Sequence, residues 1–185
     1  YYTRPQAELA QLLCEKTGAK KVFFSNSGAE ANECAIKAAR KYSFDKYGAG
    51  RYCIVTLKNS FHGRTLATLA ATGQEAMHRC FAPMLDGFSY AEPTFQSVRA
   101  QCSDKTCAVM LELVQGEGGV RPLDAEQVKK IEKFCKKNDI LLIIDEVQTG
   151  NGRTGTLYAY EQFGISPDIV STAKGLAGGL PLGAT

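Results

Sequence analysis

The sequence has little of what three kinds of binding site need. It contains only two histidines, and its seven cysteines include no C-x-x-C pair, so the usual ligand spacings of a zinc site are missing. The formal net charge is only +3, too small and too evenly spread to predict binding to nucleic acid. No apolar run approaches the ~18 residues of a membrane span. We therefore expect no metal site, no nucleic-acid partner and no membrane anchor.

What is present is the composition of a folded globular domain. Apolar residues make up 44% and charged residues 22% of 185 residues, which predicts one domain with a hydrophobic core. The odd number of scattered cysteines indicates reduced thiols, and the first residues lack the features of a signal peptide, so we expect a cytoplasmic protein. The sequence begins without methionine and ends without a polar tail, which predicts a piece of a longer protein.

Stretches with helical periodicity alternate with short apolar runs that are typical of strands. The predicted helices cover residues 7–16, 27–47, 64–71, 74–81, 124–137 and 157–163. The predicted strands cover residues 21–25, 52–57, 107–114, 139–145 and 168–172. This alternation, without hairpin signals, predicts an α/β fold with a mainly parallel sheet and helices on both faces. Ligands of such sheets bind at the carboxyl ends of the strands, so the residues that follow each strand are the candidates for chemistry.

The first two strands lead into a turn of small residues and an aromatic loop. Ser27, Gly28 and Ala29 join a strand to a helix start, where free amides and the helix dipole favour a phosphate. Simple helix capping is the alternative. Phe61 would stack on a planar ligand unless it belongs to the core. Arg64 would bind a carboxylate unless it is a solvated surface charge.

Carboxylates and an amine follow the other strands. Glu112 lies in an apolar run, where a charge needs a partner. Glu117 lies in a glycine-rich turn, and an ordinary turn residue is the alternative there. Asp145 ends the most apolar strand, which favours pairing with a metal, a ring nitrogen or an arginine over helix capping. Lys174 stands between a strand end and a glycine-rich turn, where partial desolvation would make its amine a nucleophile.

A phosphate cradle, an aromatic face, a carboxylate and an amine together suit one kind of ligand. A planar, phosphorylated ring with an aldehyde for the lysine fits all four, and pyridoxal 5′-phosphate (PLP) is such a molecule. From these residues alone, PLP is a hypothesis. The G-x-G-x-x-G motif at residues 150–155 is typical of dinucleotide sites, but it does not directly follow a strand and therefore argues weakly.

Five blocks of the sequence resemble the class III PLP-dependent aminotransferases. In chain order they are FFSNSGAEANECAIKAAR, NSFHGRT, ELVQGEGGV, LLIIDEVQTGNGRTG and PDIVSTAKGLAGGLPLGA. The resemblance implies that residues 1–185 are the large, PLP-binding domain of a fold-type I transferase. The N-terminal segment and the small C-terminal domain of the family would be missing. It also implies a homodimer that transfers an amino group from a small-molecule donor to 2-oxoglutarate.

The resemblance assigns the cofactor contacts to particular residues. Lys174 matches the lysine that binds the cofactor covalently and then moves the proton. Asp145 matches the aspartate on the ring nitrogen, which keeps the ring protonated so that it accepts electrons. The contacts to the phosphate, the two ring faces and the phenolic oxygen match Ser27, Gly28, Ala29, Phe61, Val147 and Gln148.

The resemblance also implies the substrate contacts and a preferred donor. Arg64 matches an arginine that holds a substrate carboxylate, and Glu117 matches a glutamate that pairs with a second arginine outside this chain. We group Glu112 with these substrate-binding candidates. His62 stands where ornithine aminotransferases usually carry tryptophan, which favours N2-acetylornithine, in arginine biosynthesis, or 4-aminobutyrate. Ornithine and succinylornithine remain alternative donors, and a non-catalytic truncated chain with the fold only is the alternative from another class.

Overall fold

The computed structural model describes residues 2–185 as helices packed on a central sheet. The helices are α1 Arg4–Thr17, α2 Gly28–Tyr47, α3 Leu66–Ala71, α4 Glu75–His78, α5 Phe95–Gln101, α6 Ala125–Lys137 and α7 Tyr160–Phe163. The strands are β1 Phe24–Ser25, β2 Cys53–Leu57, β3 Phe88–Ala91, β4 Thr106–Leu111, β5 Val114–Gln115, β6 Arg121–Pro122, β7 Leu141–Asp145, β8 Ile169–Ser171 and β9 Gly183–Ala184.

Five of these strands form a parallel sheet in the order β3-β2-β4-β7-β8. The short strands β1 and β9 pair with each other in antiparallel orientation, and a bridge from Thr172 to Ala184 places β9 beside β8. The predicted parallel α/β fold is thereby confirmed. Because all five strands run the same way, their carboxyl ends lie along one edge of the sheet.

Successive residues of the central strand β4 pack on opposite faces of the sheet. Val109 and Leu111 belong to a core cluster beneath α5 and α6, whereas Ala108 and Met110 belong to a cluster beneath α2. Every residue of β4 is buried, as expected for a strand covered on both faces. Fully burying a valine, leucine or methionine side chain contributes roughly 1.5–3 kcal/mol to the stability of the fold. The two apolar layers thus hold the strand ends in fixed positions.

The observed elements differ from the predicted ones in extent and in number. The strand predicted at residues 107–114 ends at Leu111, and the strand predicted at 21–25 shrinks to two residues. Strand β3 and helix α5 were not predicted. Strand β3 has only four residues at the edge of the sheet, and α5 is a seven-residue helix capped by the Thr94 hydroxyl, which accepts a bond from the Ser97 amide. Such short elements carry too little periodicity to be recognised from sequence.

Two further features concern the helices and the cysteines. Between residues 2 and 185, no helix combines the length and the apolar character that crossing a membrane requires. All seven cysteines are free thiols. Burial raises the pKa of Cys102 and of Cys107 to about 11, so both remain protonated at neutral pH and act as core side chains.

Candidate active site

A cavity of about 540 Å³ opens where the parallel strands end. Its wall is built from the loops that follow β2, β4, β7 and β8 and from the start of α2. The structure brings all the residues singled out in the sequence to this one wall: Ser27, Gly28, Ala29, Phe61, Arg64, Glu112, Glu117, Asp145, Val147, Gln148 and Lys174. Residues that are up to about 150 positions apart in the chain therefore share one site.

Asp145, the last residue of β7, lies at the buried end of the cavity and is 4% exposed. Its Oδ2 accepts hydrogen bonds from Asn32 Nδ2 at 2.7 Å and from His62 Nδ1 at 2.8 Å. Its Oδ1 accepts a bond from the Val147 amide at 3.0 Å. Because three donors converge on it, the carboxylate is held in one orientation in the floor of the cavity.

The His62 ring bonds to the Asp145 carboxylate, and the charge of the buried Glu112 also acts on it. Desolvation opposes its charge, but the hydrogen bond to Asp145 and the charges of Asp145 and Glu112 outweigh burial and raise the pKa of His62. His62 Nε2 is buried and has no hydrogen-bond partner within the described residues 2–185. A polar atom beside Asp145 is therefore left for a further contact.

Glu112 follows β4 directly and is also 4% exposed. It accepts hydrogen bonds from the amides of Phe61 at 2.7 Å and Gly116 at 3.4 Å. Desolvation raises the pKa of Glu112 to about 7, with the His62 charge opposing and the Asp145 charge adding to this effect. The partner that the sequence required is thus a pair of backbone amides together with His62, and the bonds of Glu112 join the loop after β2 to the loop after β4.

The raised pKa of Glu112 predicts how stability depends on pH. In the folded state Glu112 keeps its proton up to about pH 7, whereas the usual pKa of a glutamate is 4.5. The stabilisation of the folded state by protonated Glu112 is therefore full below pH 4.5 and is lost as the pH rises through 7. Wild type should lose about 1–3 kcal/mol of unfolding free energy relative to Glu112→Gln between about pH 5 and pH 8. Urea unfolding without added cofactor measures this difference. The exposed Glu15→Gln variant is the control, and a constant gap between wild type and Glu112→Gln at every pH would contradict the prediction.

The start of α2 forms another part of the cavity wall. Ser27 is the N-cap of this 20-residue helix, and its hydroxyl accepts a bond from the Glu30 amide at 3.2 Å. The first amides of a helix have no acceptor within the helix, and here they belong to Gly28 and Ala29 on the cavity wall. Helix capping and an anion-binding turn, which were alternatives in the sequence, are compatible in the structure.

Gly28 allows Val147 to approach this turn closely. A Cβ atom at position 28 would lie 2.6 Å from Val147 Cγ1. We expect Gly28→Ala to lower the unfolding free energy by about 1–3 kcal/mol through overpacking, although helix propensity alone would favour alanine by about 1 kcal/mol. The double variant Gly28→Ala, Val147→Ala should lose less than the sum of the two single variants. Additive losses in urea unfolding would show that the contact does not exist.

Polar side chains form the exposed rim of the cavity. The Arg64 guanidinium lies 6.0 Å from the centre of the Phe61 ring, and the Lys174 ammonium donates a hydrogen bond to Gln148 Oε1. Lys174 is exposed, so the desolvation expected from the sequence is absent; the residue begins a 3-10 turn at the cavity mouth. Its φ of 48° lies in the left-handed region, which is uncommon for a residue with a side chain and frequent at functional sites. Glu117 is exposed on the same rim.

Two buried polar residues near the site escaped the sequence analysis. Asn32 is 1% exposed and bonds to Asp145, and Glu146 is fully buried. Glu146 accepts bonds from the Thr149 hydroxyl and from the amides of residues 159 and 160, which anchors the loop after β7. A polar residue on the apolar face of a helix was the available signal for Asn32, which lies next to Ala31 and one turn before the buried Ile36.

An α/β domain with an amine, a buried aspartate and the free amides of a helix start around one cavity is the arrangement of the PLP-dependent transferases. The sequence profile described as aminotransferase class-III matches residues 1–185, and the chain belongs to this family. It is 57% identical to the acetylornithine aminotransferase of Haemophilus ducreyi, over all of this chain and 47% of the relative. The chain thus spans about half the length of the curated relatives it matches.

Solved structures agree with this assignment. The ornithine aminotransferase from Toxoplasma gondii superposes with a TM-score of 0.93 at 29% identity, over all of this chain and 45% of that one. The PLP-bound amine transaminase from an uncultivated Pseudomonas species superposes with a TM-score of 0.91 at 30% identity, over all of this chain and 48% of that one.

The residues of the cavity fit PLP in three respects. The Asp145 carboxylate has charge to share with a protonated ring nitrogen, although three protein donors already orient it. The amides of Gly28 and Ala29 at the start of α2 suit a phosphate, and the lack of a side chain at Gly28 lets Val147 pack closely against this turn. The Lys174 side chain lines the same cavity and carries the amine with which an aldehyde reacts.

Proposed function

We propose that residues 1–185 form the PLP-binding large domain of an aminotransferase that uses N2-acetylornithine and 2-oxoglutarate. The products would be N-acetylglutamate semialdehyde and glutamate, a step of arginine biosynthesis. The observation that carries the reaction class is that Lys174, Asp145 and the start of α2 line one cavity. The 57% identity to an acetylornithine aminotransferase over the whole chain supports the donor.

Each part of the cavity has a task in holding the cofactor. When bound, PLP supplies an aldehyde and a ring that accepts electrons. The amides of Gly28 and Ala29, with the Ser27 hydroxyl, bind the phosphate. Asp145 holds a proton at the ring nitrogen. The side chains of the other cofactor-binding residues cover the ring faces and bond the phenolic oxygen: Phe61, Val147 and Gln148.

Lys174 and the rim residues act on the substrate. The Lys174 amine would hold the cofactor until the donor amine displaces it, and the freed amine would then act as general base and general acid on the proton of the donor's amino-bearing carbon. The Arg64 guanidinium binds a substrate carboxylate through two parallel hydrogen bonds, which fixes the donor relative to Lys174. Glu117 pairs with a second substrate-binding arginine that lies outside this chain. Glu112 is a buried acid beneath the loop that carries Phe61, and it supports the substrate-binding side of the cavity through its bond to the Phe61 amide.

We place the protein in the cytoplasm and propose a homodimer. The seven free thiols support a reducing compartment. Two large side chains three residues apart near the end of α2, Phe44 and Tyr47, are exposed. They support burial of this surface against further protein, because exposed apolar patches mark interaction surfaces. Sedimentation of the complete protein with PLP tests the dimer.

Steady-state kinetics of the complete protein test the substrate. With PLP and 2-oxoglutarate, glutamate formation is measured for N2-acetylornithine, succinylornithine, ornithine and 4-aminobutyrate. We expect kcat/KM to be highest for N2-acetylornithine. A higher value for another donor would replace the substrate and keep the reaction class, whereas PLP binding without glutamate formation from any donor would favour a non-catalytic protein.

A further inference from the structure

Asn32 joins three strand ends through one buried side chain. Its Nδ2 donates to Asp145 Oδ2 at 2.7 Å and to the carbonyl oxygen of His62 at 2.8 Å, and its Oδ1 accepts a bond from the Ser171 hydroxyl. Asp145 ends β7, Ser171 ends β8, and His62 lies in the loop after β2. Asn32 is 1% exposed, so these bonds are shielded from bulk solvent.

The chemistry of the neighbours allows only one orientation of the Asn32 amide. A carboxylate and a carbonyl oxygen can only accept hydrogen bonds, so the two hydrogens of Nδ2 must point at Asp145 and His62. The Ser171 hydroxyl then donates to Oδ1. All strong donors and acceptors of the side chain are satisfied, which makes the amide a rigid link.

This link begins on the helix whose start forms the anion-binding turn. Asn32 lies four residues after Gly28, slightly more than one turn of α2, and a helix rises about 1.5 Å per residue. One rigid element therefore presents the amides of residues 28 and 29 at its start and holds the Asp145 carboxylate with its second turn. The separation between the two groups is set by α2.

We propose that Asn32 is a positioning residue that fixes the Asp145 carboxylate at the correct distance from the phosphate-binding turn. This inference rests on the proposed function, because a ligand that contacts both groups is the reason for coupling them. Under the proposed function, PLP would contact both the turn and Asp145, whereas inorganic phosphate would contact the turn alone. The loss of Asn32 should therefore weaken PLP and leave phosphate almost unchanged.

Binding to the complete protein separates positioning from general damage to the fold. We expect Asn32→Ala to raise the Kd for PLP about tenfold or more, measured by absorbance titration, because a hydrogen bond to a buried charge is lost. Its Kd for inorganic phosphate, measured by competition, should stay within about twofold of wild type. Asn32→Asp keeps the size of the side chain but places a second carboxylate beside Asp145, so its PLP affinity should be lowest. Ser171→Ala should give a smaller loss, and Lys37→Ala, at an exposed position of the same helix, should give none.

Three outcomes would overturn the inference. Unchanged PLP affinity in Asn32→Ala, with PLP bound by wild type, would show that Asp145 needs no such link and would leave the proposed function intact. Equal losses for PLP and phosphate would show that Asn32 only stabilises α2. Failure of wild type to bind PLP would overturn the proposed function and this inference together.

Discussion

Replacing Lys174 by alanine should lower the rate of glutamate formation by about 1,000-fold or more. Under the proposed function this amine binds the cofactor covalently and, once released, moves the proton. Among the described residues 2–185, no other lysine lines the cavity. Lys174→Arg keeps the positive charge, but it should lose a similar factor because a guanidinium stays protonated and cannot act as a base. Transamination by the complete protein measures both variants.

A chemical label tests the same residue independently of turnover. Borohydride reduction of the PLP-loaded protein should attach the cofactor to the peptide that contains Lys174, and Lys174→Ala should carry no label there. Lys37→Ala, at an exposed position of α2, should keep both the label and the rate. Label on a different lysine, or turnover by Lys174→Ala close to that of wild type, would contradict the assignment.

The sheet and its functional edge were predictable because their signals are local. The strands around Met110 and Ile143 are near-continuous apolar runs, which only a sheet covered on both faces accommodates. Once the strands are assigned, the rule that ligands bind at their carboxyl ends predicts that Asp145 and Lys174 lie in the same site, even though no contact between elements is known. The edge strand at Phe88–Ala91 has no such run and was missed.

The rest of the site depends on contacts that no local pattern encodes. Asn32 and Asp145 are 113 positions apart, and a buried asparagine on a helix gives no sign of its partner. The requirement for glycine at position 28 is likewise not visible locally, because it arises from the close contact with Val147, which is distant in the sequence. The exposure of Lys174 could not be read from its neighbours either, because it depends on how the 3-10 turn sits at the cavity mouth.

Asp145→Asn should lower kcat by about 100-fold or more while changing KM for the donor much less. The amide has almost the size of the carboxylate, but it lacks the charge that, under the proposed function, holds a proton at the ring nitrogen of the cofactor. It also has only one oxygen to offer to Asn32, His62 and the Val147 amide, so a donor faces a donor in either orientation. Asp145→Glu, which keeps the charge but moves it by one methylene group, should retain more activity than Asp145→Asn.

The stability of Asp145→Asn provides a second readout that does not need the cofactor. The pKa of His62 is raised because the Asp145 bond and charge outweigh burial, so the stabilisation from protonated His62 is full below about pH 6.5 and is lost as the pH rises through the raised value. Removing the Asp145 charge should therefore cost most unfolding free energy at acidic pH, and the gap to wild type should narrow as His62 loses its proton. Urea unfolding across this range measures the gap. A gap that widens towards alkaline pH would show that His62 and Asp145 do not form a charged pair, and normal kcat in the same variant would remove Asp145 from the mechanism.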